Sequence, residues 1–430
     1  MRPMTRRIGI GLGGALAAGL ALFAAIRHGS AAPDDFDAQA RGRYLTLVGD
    51  CVACHKRPGF SGTFPTGADG WVGGGRIETP FGEISVPNLT PDRDTGLGSW
   101  SADDFWRAMH EGVRPDGRRL YPAFPYPYYT NVTRDDSDAI YAYLRSVPPE
   151  RNAVDRNTLP FPFDIRALMV GWNFLFFEPG GFREDANRSP EWNRGAYLVT
   201  GLAHCGACHT PKNVAGADRT EGRYMAGEPL QAWYVPRLDD DRRTGLGDWS
   251  VEEIVEYLRT GRNARSAASG PMAEVVQYST ALMTEADLRA MAVYLKALPR
   301  QASPAATPTP VAASDPQMRS GEAIYLDRCQ ACHTRTGAGV ERMFPRLAGS
   351  QVVQQDGPDT LLRVVLQGTR AAYSPHAPTA PAMPAFGWRM GDAEVAAVTT
   401  YIRNAWGNAA PAVSEGDARR MRERLRDRPG

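Results

Sequence analysis

The sequence predicts an all-α chain of three tandem small helical domains joined by long loops. Three observations predict it. One pentapeptide pattern recurs three times, as Cys51-Val52-Ala53-Cys54-His55, Cys205-Gly206-Ala207-Cys208-His209 and Cys329-Gln330-Ala331-Cys332-His333. Each copy follows a helix-like segment and precedes further stretches whose apolar residues recur at helical spacing. The 430 residues also include 44 glycines and 34 prolines, a composition that suits short helices separated by long connections.

The three motifs use all six cysteines, so none remains for a disulfide framework or a nucleophile. C-x-x-C-H is the attachment pattern of c-type haem: the two thiols reach one edge of the porphyrin and the adjacent imidazole comes under the iron. A zinc ribbon would pair the motifs and leave one over, and it has no need of a histidine after each second cysteine. A thioredoxin-like redox pair would need one C-x-x-C in a βαβ setting, which is absent. The expectation is three covalently bound haem c groups. Cys51, Cys54, Cys205, Cys208, Cys329 and Cys332 would hold them, with His55, His209 and His333 as proximal iron ligands.

In chain order, Arg2, Arg6 and Arg7 precede an uncharged apolar run from Ile8 to Ile26. Residues 1–32 therefore read as a signal peptide or an N-terminal membrane anchor. Small residues at Gly29 to Ala32 offer a cleavage site, whereas Pro33 and the length of the run favour retention. The first domain, 33–150, contains Arg41-Gly42-Arg43-Tyr44 before its motif and Pro87-Asn88-Leu89 after it. Its middle helix is led by Thr95 to Ser101, with Ser101 as N-cap, and a last helix from Asp138 to Arg145 is stopped by Pro148. An aromatic connecting segment, 151–190, follows. The second domain, 191–300, repeats the plan with Arg194-Gly195-Ala196-Tyr197, Pro236-Arg237-Leu238, Ser250 as N-cap and a last helix from Asp287 to Leu298. A Pro/Ala linker, 301–315, leads to the third domain, 316–408. There Ser320-Gly321-Glu322-Ala323-Ile324-Tyr325, Pro345-Arg346-Leu347 and a helix from Asp392 to Trp406 take the same places. An Arg-rich tail, 409–430, ends the chain and reads most simply as a solvated helix; a basic amphipathic surface for anionic lipid is the alternative. The aromatic stretch Phe161 to Phe177 reads as packing across the seam between the first two domains. Its alternative is a contact surface for a catalytic subunit or the membrane.

Each unit resembles a class I cytochrome c domain: N-terminal helix, C-x-x-C-H, Pro-x-Leu, middle helix, Met-bearing loop and C-terminal helix. From about Ala40 to Asn408 the chain is similar to the triheme cytochrome c subunits of bacterial membrane-bound dehydrogenases acting on alcohol, gluconate, sorbitol or fructose. The likeness is carried by Asn88-Leu89-Thr90-Pro91-Asp92, Leu120-Tyr121-Pro122-Ala123-Phe124-Pro125-Tyr126, His204 to Pro211 and Gly270 to Val276. The resemblance implies that the carbonyls of Pro87, Pro236 and Pro345 accept from the proximal imidazoles. It also implies Met272 and Met383 as distal iron ligands of the second and third haems.

The first domain departs from the pattern, because Phe124 stands where the third domain has Met383, and phenylalanine cannot ligate iron. Met109, aligned with Leu258 and Leu366, is the working expectation for that haem; a core methionine in place of leucine is the plain alternative. His110 ranks below it, and five-coordinate iron capped by Phe124 is a third reading.

The implied function is electron transfer from a periplasmic dehydrogenase subunit with PQQ, flavin or molybdenum cofactor to ubiquinone or a terminal oxidase. A small third subunit is an optional partner. The expected location is the periplasmic side of the bacterial inner membrane. With 49 basic against 48 acidic residues, no nucleic-acid partner is expected. The rivals are a peroxidase-type or small-oxide-reducing haem enzyme open at haem 1, and a free-standing soluble carrier.

Overall fold

The computed structural model describes residues 35–426, apart from 61, 63, 66 and 302–307. The leader or anchor expected at 1–32, much of the Pro/Ala linker and residues 427–430 lie outside the described residues.

One helical plan occurs three times. The first unit contains α1 (Asp35–Val48), α2 (Cys51–His55), α3 (Ala102–Glu111), α4 (Tyr126–Tyr129) and α5 (Arg134–Ser146). After α6 (Leu168–Phe176) the second unit has α7 (Pro190–Tyr197), α8 (Gly206–His209), α9 (Val251–Thr260), α10 (Pro271–Tyr278) and α11 (Glu285–Lys296). The third has α12 (Pro316–Arg328), α13 (Gln330–His333), α14 (Asp359–Gln367), α15 (Asp392–Asn404) and α16 (Glu415–Arg426). The chain is helix-rich but not purely helical. Two-stranded antiparallel ladders join β1 (Arg76–Thr79) to β2 (Gly82–Ser85), β3 (Glu228–Leu230) to β4 (Trp233–Val235) and β5 (Thr369–Arg370) to β6 (Ala382–Met383). Strands this short carry too few residues for alternation to show in the sequence.

Local chemistry sets the helix ends. Ser101 and Ser250 accept the backbone N–H of Asp104 and Glu253, whose carboxylates return the bond, so α3 and α9 both begin in a capping box. Gly112 and Gly261 end these helices with left-handed φ of 65° and 76°. Thr133 caps α5, its side chain accepting the backbone N–H of Asp136.

The first and last helices of each unit cross where a glycine removes the side chain. A Cβ on Gly42 would sit 1.8 Å from the Ala139 carbonyl oxygen, on Gly195 1.9 Å from that of Ala290, and on Gly321 2.2 Å from that of Ala397. Tyr143, Tyr294 and Tyr401, one turn further on, close the same three crossings.

Units one and two share one hydrophobic core, running from Leu45 and Val48 through Tyr197 and Leu202 to Leu295. They also exchange hydrogen bonds reciprocally. Tyr44 of the first donates to Asp287 of the second at 2.6 Å, while Tyr197 of the second donates to Asp136 of the first. Arg194 pairs with Asp287 and Arg41 with Asp136 within their own units. The third unit has a core of its own that takes in Ala232 of the second. A small cluster of Ala268, Val276, Ala281 and Ala372 joins the two, and the hydrogen bonds between them run mainly to backbone acceptors. Gln355 donates to the Thr244 carbonyl at 2.8 Å and Arg243 to that of Gln354 at 2.7 Å.

The tail departs from its expected solvation. Ala418, Met421 and Leu425 of α16 are buried in the third core, and Arg422 bonds Asp392 at 2.8 Å and the Met390 carbonyl at 2.8 Å. The aromatic segment departs as well: Met169 and Asn173 face inward, but Phe161, Phe174 and Leu175 are 80%, 88% and 67% exposed. No helix of the described residues is long and apolar enough to cross a membrane.

Candidate haem-binding sites

Each motif forms a short helix that turns its histidine into the unit. The Nδ1 of His55 lies 2.9 Å from the Pro87 carbonyl oxygen, that of His209 2.7 Å from Pro236, and that of His333 3.0 Å from Pro345. With Nδ1–H donating to a carbonyl, Nε2 is left bare, the tautomer that binds a metal. Burial pushes His55 and His209 down to about 4 and lowers His333, against the opposing pull of each carbonyl bond, so the rings are neutral. Burial likewise raises the Cys51, Cys54 and Cys205 thiols to about 12 and Cys329 to about 11, and it also raises Cys208. None of the six cysteines is in a disulfide. Uncharged thiols beside a bare imidazole nitrogen suit a porphyrin held by two thioethers and one nitrogen ligand.

A second recurring device holds each histidine, and no sequence motif marks it. The backbone N–H of Gly73 donates to the His55 carbonyl at 2.8 Å, Gly227 to His209 at 2.9 Å and Gly339 to His333 at 3.1 Å. All three glycines have left-handed φ, of 64°, 70° and 68°. A Cβ would come within 2.4 Å of the Pro87 carbonyl oxygen at Gly73 and within 2.7 Å of the Pro345 carbonyl oxygen at Gly339. The leucine of each Pro-x-Leu bonds back as well, Leu89 to Trp71, Leu238 to Met225 and Leu347 to Gly337. Gly73 and Gly227 stand eighteen residues after their histidines and Gly339 only six, so no fixed spacing advertises the set.

The distal sides differ. Met272 lies in the first turn of α10, not on a loop, because Pro271 at the first helical position starts the helix. It packs against the shared core of units one and two. Met383 lies on β6, paired with Thr369, and packs against the third core. Phe124 packs against the shared core with its ring 5.3 Å from that of Tyr129. Met109, Leu258 and Leu366 each stand eight residues after their helix N-caps, and all three are buried. The Met109 sulfur accepts the Ser137 hydroxyl at 3.9 Å. His110, half-buried, stacks on Trp106 with ring centroids 4.3 Å apart.

Motifs one and two face each other across the seam of their units. A Cβ on Gly206 would meet the Tyr128 ring at 2.8 Å, and the Lys56 ammonium sits 4.1 Å above the Tyr278 ring of α10. Between them Asp50 is pushed well above the usual carboxylate range, by burial and then by Glu274, with Lys56 opposing. One of its oxygens is buried without a hydrogen-bond partner.

Comparison with known proteins gives the family. Residues 316–402 match the model of cytochrome c oxidase, cbb3-type, subunit III. The gluconate 2-dehydrogenase cytochrome c subunit of Pantoea cypripedii is 37% identical over 392 residues, covering 86% of this chain and 86% of that one. The cytochrome c subunit of the quinone alcohol dehydrogenase of Gluconobacter oxydans is also 37% identical, covering 95% of this chain and 87% of that one. A subunit of the nicotinate dehydrogenase of Pseudomonas putida is 38% identical over 86% of this chain, which spans only 30% of that longer protein. The chain thus belongs to the family of dehydrogenase cytochrome c subunits.

Proposed function

We propose that this chain is the electron-transfer subunit of a membrane-bound dehydrogenase complex. It would hold three haem c groups in three tandem class I cytochrome c domains, 33–150, 191–300 and 316–408. The observation that carries the reading is the threefold recurrence of one set: two free thiols and an imidazole whose Nδ1 meets a proline carbonyl. Bound haem c supplies a one-electron iron couple.

The chain's own residues do the rest. Cys51 and Cys54, Cys205 and Cys208, and Cys329 and Cys332 anchor the macrocycles. His55, His209 and His333 present Nε2, and the carbonyls of Pro87, Pro236 and Pro345 make that nitrogen more basic and fix the ring. Met272 and Met383 supply thioethers, which favour a raised potential suited to accepting electrons from a dehydrogenase. Met109 is assigned the same role in the first domain.

The names of the relatives point to a large catalytic subunit as donor, acting on an alcohol, a sugar or sugar acid, or a nitrogen heterocycle. The proposed acceptor is ubiquinone or a terminal oxidase. The proposed location is the periplasmic face of the bacterial inner membrane, reached through residues 1–32 as leader or anchor.

Purification in mild detergent tests this reading. A large subunit should co-purify, its substrate should reduce the cytochrome, and the haemochrome assay should give three haems per chain. Repeated recovery of the full chain alone, with no dehydrogenase able to reduce it, would overturn the reading.

A further inference from the structure

The segment 161–176 presents an apolar face that the fold leaves uncovered. Along α6, Met169 and Asn173 are buried, and Tyr126 donates to Asn173 at 2.5 Å, so this edge is docked firmly. Trp172 is half-buried and donates to the Ala215 carbonyl at 2.9 Å. The opposite edge carries Leu168, Val170, Phe174 and Leu175, all more than half exposed. Before it come Phe161, 80% exposed, and Phe163, whose ring lies 5.0 Å from that of Phe81. Val214, beside the Trp172 acceptor, is 99% exposed. Soluble surfaces scatter such residues singly; here eight exposed large apolar side chains fall between Phe161 and Phe176.

The rim of this face is basic. Arg166 lies over the Tyr121 ring at 4.6 Å and donates to the Arg119 carbonyl at 2.7 Å. Tyr121 in turn donates to the Phe163 carbonyl at 2.9 Å, which ties the arginine loop to the aromatic segment. Arg114 and Arg118 stand close enough to Arg166 to repel its charge. Arg114 and Arg118 both pair with Asp116 at 3.7 Å and Asp164 lies near Tyr121, so the four arginines Arg114, Arg118, Arg119 and Arg166 outnumber these two acids. A rigid apolar ridge edged by aromatic rings and arginines fits the headgroup boundary of an anionic bilayer, where the arginines meet lipid phosphates and the ridge enters the acyl region. A helix of nine residues cannot span a bilayer and must lie along it.

The geometry points to this ridge as an interfacial membrane-docking surface for anionic phospholipid. It is separate from residues 1–32 and independent of the electron-transfer reading. The full chain should be mixed with vesicles of phosphatidylcholine, with or without phosphatidylglycerol, and followed by peptide-resolved hydrogen exchange. Anionic vesicles should slow exchange several-fold in peptides covering 114–121 and 161–177, and high salt should reverse part of that protection. Replacing both Phe174→Asp and Leu175→Asp should abolish that protection and weaken vesicle binding by about tenfold or more, because charged groups are strongly disfavoured at this depth. Unchanged exchange in 161–177 with vesicles would overturn the assignment. So would protection that appears only when a catalytic subunit is added, since the ridge would then be a protein interface. In detergent the double variant should still accept electrons from the dehydrogenase. Failure of the unsubstituted chain to do so would count against the proposed function, not against the docking surface.

Discussion

Units one and two share one core and interlock reciprocally, whereas unit three keeps a core of its own that borrows Ala232 from unit two, although all three repeat one local plan. The difference traces to the offset of one tyrosine from the packing glycine. In α1 and α7 the tyrosine follows the glycine by two positions, Gly42 to Tyr44 and Gly195 to Tyr197. Two residues rotate a helix by about 200°, so a side chain there leaves the crossing and reaches the neighbouring unit. Both hydroxyls find the carboxylate at the start of the other unit's last helix. In α12 the tyrosine follows by four positions, Gly321 to Tyr325, which returns it to the packed face. Its hydroxyl donates to the Thr334 carbonyl within its own unit at 2.7 Å, and the residue is fully buried. Identical crossings therefore yield either a reciprocally interlocked pair or a unit with a core of its own.

The largest effect separates the two kinds of unit. Gly42→Val places side-chain atoms inside van der Waals contact of the Ala139 carbonyl and should cost about 4 kcal/mol or more. Because the core is shared, it should remove the thermal transition of units one and two together and lower the haem content of both. Gly321→Val should collapse unit three alone. A Gly42→Val protein whose second unit melts as before would break the comparison. Calorimetry and haem quantification on isolated fragments of the digested protein are the measurements.

Acid should loosen the pair next. Burial pushes Asp287 up, but the bonds from Arg194 and Tyr44 more than offset this, and its carboxylate lies below its ordinary value. A depressed folded pKa means that the unfolded chain takes up the proton first as pH falls. The stabilisation is therefore complete above the unfolded value of about 3.9 and is lost as pH drops through the folded value. Asp287→Asn should cost about 2–3 kcal/mol at pH 7, less than a fully buried pair because the Arg194 side chain is 38% exposed. The same variant should flatten this part of the acid dependence. Urea midpoints at pH 7 and pH 3 check both statements.

Smaller still are the two crossing hydroxyls. Tyr44→Phe and Tyr197→Phe should each cost about 1–2 kcal/mol, since each leaves a buried carboxylate one bond short. The two contacts have separate partners, so the double variant should be additive within about 0.5 kcal/mol. Strong coupling between them in urea melts would show that the pair closes as a single unit rather than through two independent latches.

Much of the arrangement was legible in the sequence, and what escaped did so for identifiable reasons. The Ser101 and Ser250 caps, the Pro-x-Leu triplets and the packing glycines are local patterns, and local patterns survive in a linear reading. The clamps made by Gly73, Gly227 and Gly339 escaped because a left-handed glycine can meet its histidine across a loop of any length. Strand pairs of two to four residues are below the length at which alternation speaks. Spacing alone could not choose between solvation and docking for α16, since Ala418, Met421 and Leu425 needed the exposed flank of α14 and α15 to bury against. For the aromatic segment the hydrophobicity was plain, but which edge of α6 would be covered depended on Tyr126 reaching Asn173.

The smallest effect on stability concerns the sharpest chemical difference between unit one and its partners. Met109 occupies the helix position of Leu258 and Leu366, so Met109→Leu keeps the volume and should cost less than about 1.5 kcal/mol. Its spectrum carries the information. A thioether sulfur has two lone pairs; the Ser137 hydroxyl takes one at 3.9 Å, and the other remains available to iron. With Met109 as ligand, Met109→Leu should remove the thioether-to-iron absorption of one haem and lower its potential. Ser137→Ala should then shift that same potential without abolishing the band, because the hydroxyl withdraws electron density from the sulfur. A core methionine predicts neither change. In that case the reduced protein should bind carbon monoxide at one haem before any substitution, and Phe124→Met, which restores the residue type found at Met383, should close the site.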